Sequence, residues 1–337
     1  MEHENPQNSS PENTLLSTSI FQYLESVSLS RSPHTFRTYK NALNAFIQCL
    51  IEHDLDPNAT LVKNFDESPL TWFSVYLKNH SPATETLYLT AVKNFYEYLA
   101  AEKLADINLP RVKLLIRQRS RKPGQRLPQF PKDYIEILLE KMQSFIPDAT
   151  MDETERIRFL RDRAFLLTLA DTGLRVHEAC NLRRGDMDWN EGKALIIGKG
   201  NREAIVRFST RTIHALKEYL TQRAALDSSS GKPLSSLPLF ARHDKGSGKK
   251  IKPITTTTGR NIVKQRVKEF LDEEISLEIT PHSFRHYFVT RVLVSSGNLK
   301  LAQELARHRN IAVTQRYAHL SNEELDQGYW QAIENNS

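Results

Sequence analysis

The sequence predicts a mainly helical protein with a small β-sheet, divided into two domains. A length of 337 residues suits about two domains, and 39% hydrophobic with 26% charged residues is an ordinary globular composition. A helical motif occurs twice before residue 100, and short strand-like segments occur between residues 193 and 208. These observations favour an N-terminal helical bundle followed by an α+β domain.

An internal repeat defines the N-terminal domain. The pattern Ser-Pro-x-Thr-x-x-x-Tyr begins at Ser32 and again at Ser81, 49 residues later, and apolar residues follow at helical spacing. Serine suits the N-cap and proline the first helical position, so each copy predicts one helix. Apolar segments at 20–24 and 70–77 predict a helix before each copy, which gives two packed helical hairpins over residues 19–110.

The first 18 residues are rich in Asn, Ser, Glu and Pro. They lack the basic start and the apolar run of a signal peptide. We expect residues 1–18 to be a flexible tail.

Positive charge is concentrated after residue 110. Residues 1–110 hold 7 Lys and Arg against 13 Asp and Glu, and the rest of the chain holds 39 against 27. Residues 111–132 contain no acidic residue, and three prolines and a glycine between 123 and 131 disfavour a helix. We predict an extended basic linker over 111–130 that binds a polyanion such as DNA, with a solvated tether as the alternative. Its expected DNA contacts are Arg117, Arg119, Arg121 and Lys122.

The first copy of the repeat also carries a basic edge. Arg31, Arg37 and Lys40 lie on one side of the predicted helix together with His34, and the second copy has no such edge. We predict that Arg31, Arg37 and Lys40 contact DNA despite the acidic balance of this domain. A solvated helix face is the alternative.

The C-terminal domain is expected to cover residues 131–337. Apolar runs predict a helix at 135–142 and another from about 157 to 171 that is apolar nearly all round and therefore central in the core. Thr172 and Gly173 then turn the chain into a short helix with Arg175 in its first turn, where backbone N–H groups favour an anion. Glu178 is placed to support Arg175, and a purely structural Arg–Glu pair is the alternative.

A β-hairpin is predicted next. Residues 193–197 and 204–208 have strand character, and the turn between them presents Lys199 at its tip. Lys199 is a candidate proton donor to a leaving oxygen, and Arg202 is a candidate DNA contact. A solvated turn lysine is the alternative.

Two further elements carry histidine and arginine. Thr280 and a following proline begin a helix in which His282 and Arg285 share one face of the first turn, at its positive end. His282 and His286 have the spacing of zinc ligands, but no Glu follows the first His and no third ligand is evident, so we do not expect zinc there. A helix, a turn with His308 and a further helix with Tyr317 follow.

The candidate residues form an ordered set: Arg175, Lys199, His282, Arg285, His308 and Tyr317. Each one taken alone has an ordinary structural explanation. Together they supply cationic or donor groups and one phenol nucleophile, which is what a metal-free attack on a phosphodiester requires.

Four strings resemble the signature boxes of the tyrosine recombinase (phage integrase) family: TGLRVHE, IIGKGNRE, HSFRHYFVTR and ARHRNIAVTQRYAHL. They occur in the order of that family, and the resemblance is to its Xer-like and integron-integrase-like bacterial members. The resemblance implies a SAM-like core-binding bundle before the linker and an α+β catalytic domain after it. It also implies a site-specific DNA recombinase that acts through a 3′-phosphotyrosyl intermediate and a Holliday junction, without metal or cofactor.

The resemblance implies a role for each matched residue. Tyr317 would attack the scissile phosphate, and Lys199 would protonate the departing 5′ oxygen. The non-bridging oxygens would be bound by Arg175, Arg285 and His308. His282 would assist proton transfer, and Glu178 would support the pocket.

The implied partners are double-stranded DNA with a specific recombination site and further copies of the chain, as a homotetramer on two sites. Residues 321–337 read as a short amphipathic end that we predict docks on a neighbouring subunit, with docking on its own domain as the alternative. The resemblance leaves open whether an accessory protein activates the enzyme.

Cys49 and Cys180 have no metal or redox spacing, and no apolar run reaches about 20 residues. We therefore expect a cytoplasmic protein without membrane contact, associated with the nucleoid when bound to DNA.

One departure from the family pattern lies beside His308. Family members usually have Leu-Gly there, and this chain has Ala306 and Arg307. Other functions fit part of the same residue set: a type IB topoisomerase-like enzyme that relaxes DNA alone, a catalytically silent DNA-binding protein, or a protein-interaction module built on the helical repeat.

Overall fold

The computed structural model describes residues 13–121, 132–148, 150–198, 202–244, 251–272, 274–275, 278–308 and 310–315. The chain divides into two compact units, residues 1–125 and 126–337. Each unit has its own hydrophobic core. The predicted class, mainly helical with a small sheet, is confirmed.

The described part of the first unit is helical. Its helices are α1 (Leu16–Ser30), α2 (Pro33–Ile51), α3 (Pro69–Tyr76), α4 (Pro82–Ala101) and α5 (Leu109–Arg119). The two repeat copies form α2 and α4, as predicted. Ser32 and Ser81 cap them by accepting hydrogen bonds from the backbone N–H groups of Thr35 and Thr84, at 3.2 Å in both copies.

The apolar positions of the repeat make the core of this unit. Phe46 of α2 and Phe95 of α4 are fully buried, and the Phe46 ring packs against that of Phe73 at a centroid distance of 5.0 Å. Tyr96 is buried among them and donates its hydroxyl hydrogen to the carbonyl of Asp66 at 3.0 Å. The spacing that predicted one helix per copy therefore also predicted which faces are buried.

The prediction of an extended linker from residue 111 was wrong for residues 111–119. These residues belong to α5, which Asn108 caps by accepting from the Arg111 N–H at 3.0 Å, and Val112 of α5 is fully buried. The helix-breaking residues begin only at Pro123, and a proline at the first turn of α5 is compatible with a helix. Ser120 and Arg121 follow α5, and the rest of the predicted linker, 122–130, lies outside the described residues.

The second unit surrounds a buried helix with further helices and one small sheet. Its described helices are α6 (Lys132–Ser144), α7 (Glu153–Thr172), α8 (Val176–Asn181), α9 (Thr210–Gln222), α10 (Ala224–Ser228), α11 (Thr256–Phe270), α12 (Pro281–Ser296), α13 (Leu299–Ala306) and α14 (Ile311–Gln315). Helix α7 is buried on nearly every side, as its all-round apolar pattern predicted.

Three antiparallel strands, β1 (Met187–Asp188), β2 (Lys193–Gly198) and β3 (Arg202–Arg207), form the sheet in that order. The predicted hairpin of β2 and β3 is confirmed. β1 was not predicted, because two residues are too few for a periodic signal.

Buried ion pairs connect the helices of this unit. Asp162 of α7 accepts from Arg161 and from Arg266 of α11, and all three side chains are buried. A second group places Arg223 and Asp227 next to Tyr219 and His243, whose Nε2 lies 2.8 Å from the tyrosine hydroxyl oxygen. Burial and the nearby arginines lower the pKa of His243 to about 3.

The His243→Gln variant should show a weaker loss of stability in acid. His243 stays neutral in the fold down to about pH 3 but has an ordinary pKa of 6.5 when unfolded. Between these values the unfolded chain binds the extra proton, so stability is lost as the pH falls through this window. Urea unfolding at several pH values should give a slope of free energy against pH that is shallower by up to about 1.4 kcal/mol per pH unit. An unchanged slope would contradict this reasoning.

Candidate active site

The turn between α7 and α8 requires a glycine. Gly173 ends α7 with a φ of +59°, and a Cβ at this position would lie 2.4 Å from the ring of Phe288 on α12. Both conditions exclude a larger residue, because a side chain strains a left-handed backbone and the ring occupies the space. The turn brings α12 against the start of α8, where Arg175 is the N-cap.

Glu178, in the first turn of α8, binds the N-cap residue Arg175 from the inner side of the helix start. The Glu178 carboxylate accepts from the Arg175 backbone N–H at 2.8 Å and from its Nη1 at 2.9 Å. Burial by itself would raise the pKa of Glu178, but the Arg175 backbone N–H and the charges of Arg307 and Arg175 lower it below its ordinary value. The Glu178 carboxylate is 2% exposed and the Arg175 side chain is 40% exposed. The arginine therefore reaches solvent while the buried carboxylate binds its backbone N–H and one side of its guanidinium.

Arg285 joins three elements. It lies on α12, is buried, and donates to the carbonyl of Gly173 in the α7–α8 turn and to the carbonyl of Ala306 at the end of α13. Its helix follows the N-cap residue Thr280, whose backbone N–H donates to the hydroxyl oxygen of Ser283 at 3.1 Å. The guanidinium is therefore fixed in place by backbone groups from two other segments.

The histidines at the start of α12 are neutral at pH 7. His282 and His286 pack edge to face with ring centroids 4.2 Å apart. Burial, followed by the positive charges of Arg285 and Arg175, lowers the pKa of His282, and burial with His282 and Arg285 lowers that of His286 to about 4. A neutral imidazole at position 282 is able to accept a proton.

His308 lies in the turn between α13 and α14. Its Nδ1 is 2.9 Å from the hydroxyl of Thr314, and Gln303 both accepts from the His308 backbone N–H and donates to its carbonyl. Burial and the charges of Arg285 and Arg175 lower the pKa of His308 to about 4. Because Nδ1 is engaged, a hydrogen bond from His308 to a ligand would come from Nε2.

A cavity of about 670 Å³ opens where these elements meet. Arg175, His282 and Arg285 all line it. The structure therefore brings these predicted residues together, with Glu178 behind Arg175.

The cavity wall also includes residues that the sequence reasoning missed: Arg260, Asn261 and Lys264 on α11. They are exposed on the side of α11 opposite its buried face. Helix α11 approaches α8 closely at Gly259, where a Cβ would lie 2.9 Å from Val176. The i, i+4 spacing of two basic residues on an amphipathic helix was the available signal.

Several predicted residues lie outside the described part of the chain. Lys199, Tyr317 and Lys122 are among them, and so is the C-terminal end, 321–337. The backbone of Arg202 begins β3, but its side chain is not described.

The predicted DNA contacts of the first unit differ in their surroundings. Arg31, Arg37 and Lys40 are exposed on and beside α2, and Arg117 and Arg119 are exposed on α5. Arg121 instead donates from its backbone N–H and its Nε to Glu85, whose side chain is fully buried, and from Nη2 to the carbonyls of Leu77 and His80. Contact of these residues with DNA stays a prediction, and for Arg121 the structure provides an internal partner.

The described residues provide neither a metal-binding cluster nor a membrane-spanning helix. They hold no group of three or more His, Cys, Asp or Glu arranged to bind a metal ion. They also include no helix that is long and apolar enough to cross a membrane.

Comparison with known proteins places both units in one family. The sequence model of the phage integrase family matches residues 142–324. The model of the phage integrase N-terminal SAM-like domain matches residues 20–103. Tyrosine recombinase XerC of Pelotomaculum thermopropionicum is 31% identical over 90% of this chain and 93% of its own length. Tyrosine recombinase XerC of Myxococcus xanthus is 28% identical over 88% and 91%.

Solved structures share the fold. XerH site-specific recombinase bound to difH substrate superposes with a TM-score of 0.63 at 21% identity, covering 96% of this chain and 85% of that one. A lambda integrase dimer bound to a COC′ core site gives a TM-score of 0.61 at 14% identity, covering 91% and 96%.

Fold, pocket and relatives together define an enzyme of the tyrosine recombinase class. The chain belongs to the phage integrase family, whose description matches more than half of its length.

The Gly173→Ala variant should be much less stable than Gly297→Ala. Both glycines end a helix at nearly the same φ, +59° and +60°, but a Cβ at 297 meets nothing within 4 Å. Gly297→Ala thus measures backbone strain alone, about 1–2 kcal/mol, and Gly173→Ala adds the clash with Phe288. Thermal unfolding of both variants provides the comparison, and equal losses would show that Phe288 moves away without resistance.

Proposed function

We propose that this chain cleaves one DNA strand at a particular sequence and rejoins it to a new partner strand. The observation that carries the proposal is the meeting of Arg175 and Arg285 at one cavity, beside histidines that are neutral at pH 7. Two guanidinium groups suit the non-bridging oxygens of a phosphodiester. Membership of the phage integrase family supports the same reaction.

In the proposed reaction Tyr317 is the nucleophile. Its phenolic oxygen bonds to phosphorus as the bond from phosphorus to the 5′ oxygen breaks, which leaves a 3′-phosphotyrosyl ester and a free 5′ hydroxyl. Lys199 gives a proton to the departing 5′ oxygen. A 5′ hydroxyl from another strand reverses these steps and releases Tyr317, so the ester conserves the bond for rejoining.

The other residues stabilise and move charge. Arg175, Arg285 and His308 bind the non-bridging oxygens in the transition state. His282 assists proton transfer, a role supported by its lowered pKa, because only a neutral imidazole accepts a proton. Glu178 supports Arg175 from behind by accepting hydrogen bonds from its backbone N–H and its Nη1. This assignment uses neither a metal nor a cofactor.

Both units contact duplex DNA in this proposal. The exposed basic residues of α2 and α5 (Arg31, Arg37, Lys40, Arg117 and Arg119) bind the sugar-phosphate backbone. Lys122 and Arg202 add contacts from the segments around the linker and the β-hairpin. Arg260 and Lys264 extend the positive wall of the cavity along α11 and bind phosphates next to the scissile one.

We further propose that four copies assemble on two recombination sites and exchange strands in pairs through a Holliday junction. The C-terminal end, 321–337, docks on a neighbouring copy in this assembly. We place the protein in the cytoplasm, on the nucleoid when it is bound to DNA. Residues 1–18 act as a tail, 19–110 as the core-binding domain and 131–337 as the catalytic domain.

A type IB topoisomerase-like activity is the main alternative. Such an enzyme would relax supercoiled DNA as a monomer and without sequence preference, whereas the proposed recombinase would join two sites. A plasmid with two candidate sites distinguishes them, because only recombination changes the order of flanking sequence. A silent DNA-binding protein would form no covalent adduct.

The Tyr317→Phe variant should form no covalent protein–DNA adduct. The variant lacks only the nucleophilic oxygen, so its affinity for the same DNA should stay within about two-fold. The measurement uses nicked suicide duplexes that carry candidate sites, with gel separation of the adduct and mobility-shift titration of binding. An adduct that survives this substitution would refute the assignment of the nucleophile.

The Arg175→Ala variant should cleave suicide duplexes at least about 10²-fold more slowly, as when one preorganised oxyanion donor is lost. Arg285→Ala should lose a similar factor. Arg242→Ala is the matched control, since it removes an arginine of the same unit that pairs with Asp244 and does not line the cavity. Single-turnover cleavage rates provide the test, and rates within a few-fold of wild type at position 175 would argue against its role.

A further inference from the structure

Arg307 has a backbone conformation that disfavours arginine. It ends α13 with a φ of 56° and a ψ of 42°, in the left-handed region. A side chain with a Cβ is strained there, and Asn, Asp and Gly are the usual occupants. Such strain persists where other contacts of the residue offset it.

The side chain of Arg307 is held inside the unit. It is 15% exposed, and its Nη2 donates to Glu178 Oε2 at 3.1 Å and to the Gly173 carbonyl at 3.4 Å. Its Nε is buried without a hydrogen-bond partner among the described residues. Burying this guanidinium is unfavourable by itself, so the contact with the Glu178 carboxylate is the interaction that keeps it there.

Glu178 therefore lies between two arginines. Its Oε1 accepts from Arg175 Nη1 at 2.9 Å, and its Oε2 accepts from the Arg175 backbone N–H and from Arg307. Arg307 balances part of the carboxylate charge that would otherwise attract Arg175 alone. It also fixes the plane of the carboxylate, because Oε2 is held from two sides.

The pairing of Glu178 with Arg307 matters because Arg175 has to weaken its own ion pair with Glu178 when it binds a phosphate. A Glu178 carboxylate with no second cation would compete strongly with the phosphate for the Arg175 guanidinium. A carboxylate already paired with Arg307 competes less and still aligns the arginine.

We propose that Arg307 is a positioning residue for strand cleavage: through Glu178 it sets how Arg175 meets the scissile phosphate. The proposal rests on the recombinase function proposed above. Arg307 itself does not contact the DNA in this scheme.

The Arg307→Gly variant tests the proposal with little risk to the fold, since glycine suits a φ of 56°. Single-turnover cleavage of a suicide duplex should slow by about 10-fold, because a misaligned Arg175 loses transition-state contacts. The dissociation constant for the same DNA should stay within about two-fold. Arg307→Lys should recover part of the rate, since it keeps the charge but not the planar fork.

A double-mutant cycle with Glu178→Gln shows whether Arg307 acts through the carboxylate. If it does, the double variant Glu178→Gln with Arg307→Gly cleaves no more slowly than Glu178→Gln alone. Independent, multiplying effects would overturn the proposal. The salt dependence of DNA binding is a second readout: a direct phosphate contact by Arg307 would lower its log–log slope by about 1 on substitution, and the proposal expects no change.

Lys103→Gly is the control for the backbone change. Lys103 is exposed in the first unit and has a similar φ of 54°, so its replacement should leave cleavage unchanged. The outcomes separate the two proposals. If the wild-type protein forms no adduct on any candidate site, the recombinase function fails; if it cleaves and Arg307→Gly cleaves equally fast, only the role of Arg307 fails.

Discussion

The second unit depends on keeping several guanidinium groups close together in a partly buried site. Like charges repel strongly where water is excluded, and a buried cation without partners is very unfavourable. Here the short turn that includes Gly173 supplies a carbonyl to Arg285 and Arg307, and Glu178 supplies the carboxylate that joins Arg307 to Arg175. One backbone turn and one acidic side chain thus hold the positive groups at the cavity.

Burial and these same positive groups together determine the protonation state of the histidines. Burial and the neighbouring arginines keep His282, His286 and His308 uncharged at neutral pH, so the permanent charge of the cavity comes from arginine and lysine side chains. Neutral imidazoles can exchange protons, whereas arginine in proteins does not. The site therefore separates the groups that bind negative charge from those able to accept or donate a proton.

Local signals in the sequence were sufficient for much of the fold. The caps at Ser32, Ser81 and Thr280 and the all-round apolar pattern of α7 depend on neighbouring residues, and the structure agrees with each. The predicted start of the linker was wrong, because the helix-breaking residues begin at Pro123, after α5 has already ended at Arg119. The i, i+4 spacing of Arg260 and Lys264 indicated an exposed basic face, but which cavity this face lines depends on α11 packing against α8. The partner of Arg307 is 129 residues away, so spacing could not predict it.

The contact of Arg121 with the buried Glu85 affects the segment that joins the two units. Lys78 reinforces it by donating to Glu85 and to the carbonyl of Arg119, so the chain is tied to the first unit as far as residue 121. Each residue that packs on the first unit in this way shortens the segment that joins the two units. In the DNA-bound state proposed above, a shorter connection raises the effective concentration of the second unit near DNA bound by the first, so the Arg121–Glu85 contact contributes to avidity without touching the nucleic acid.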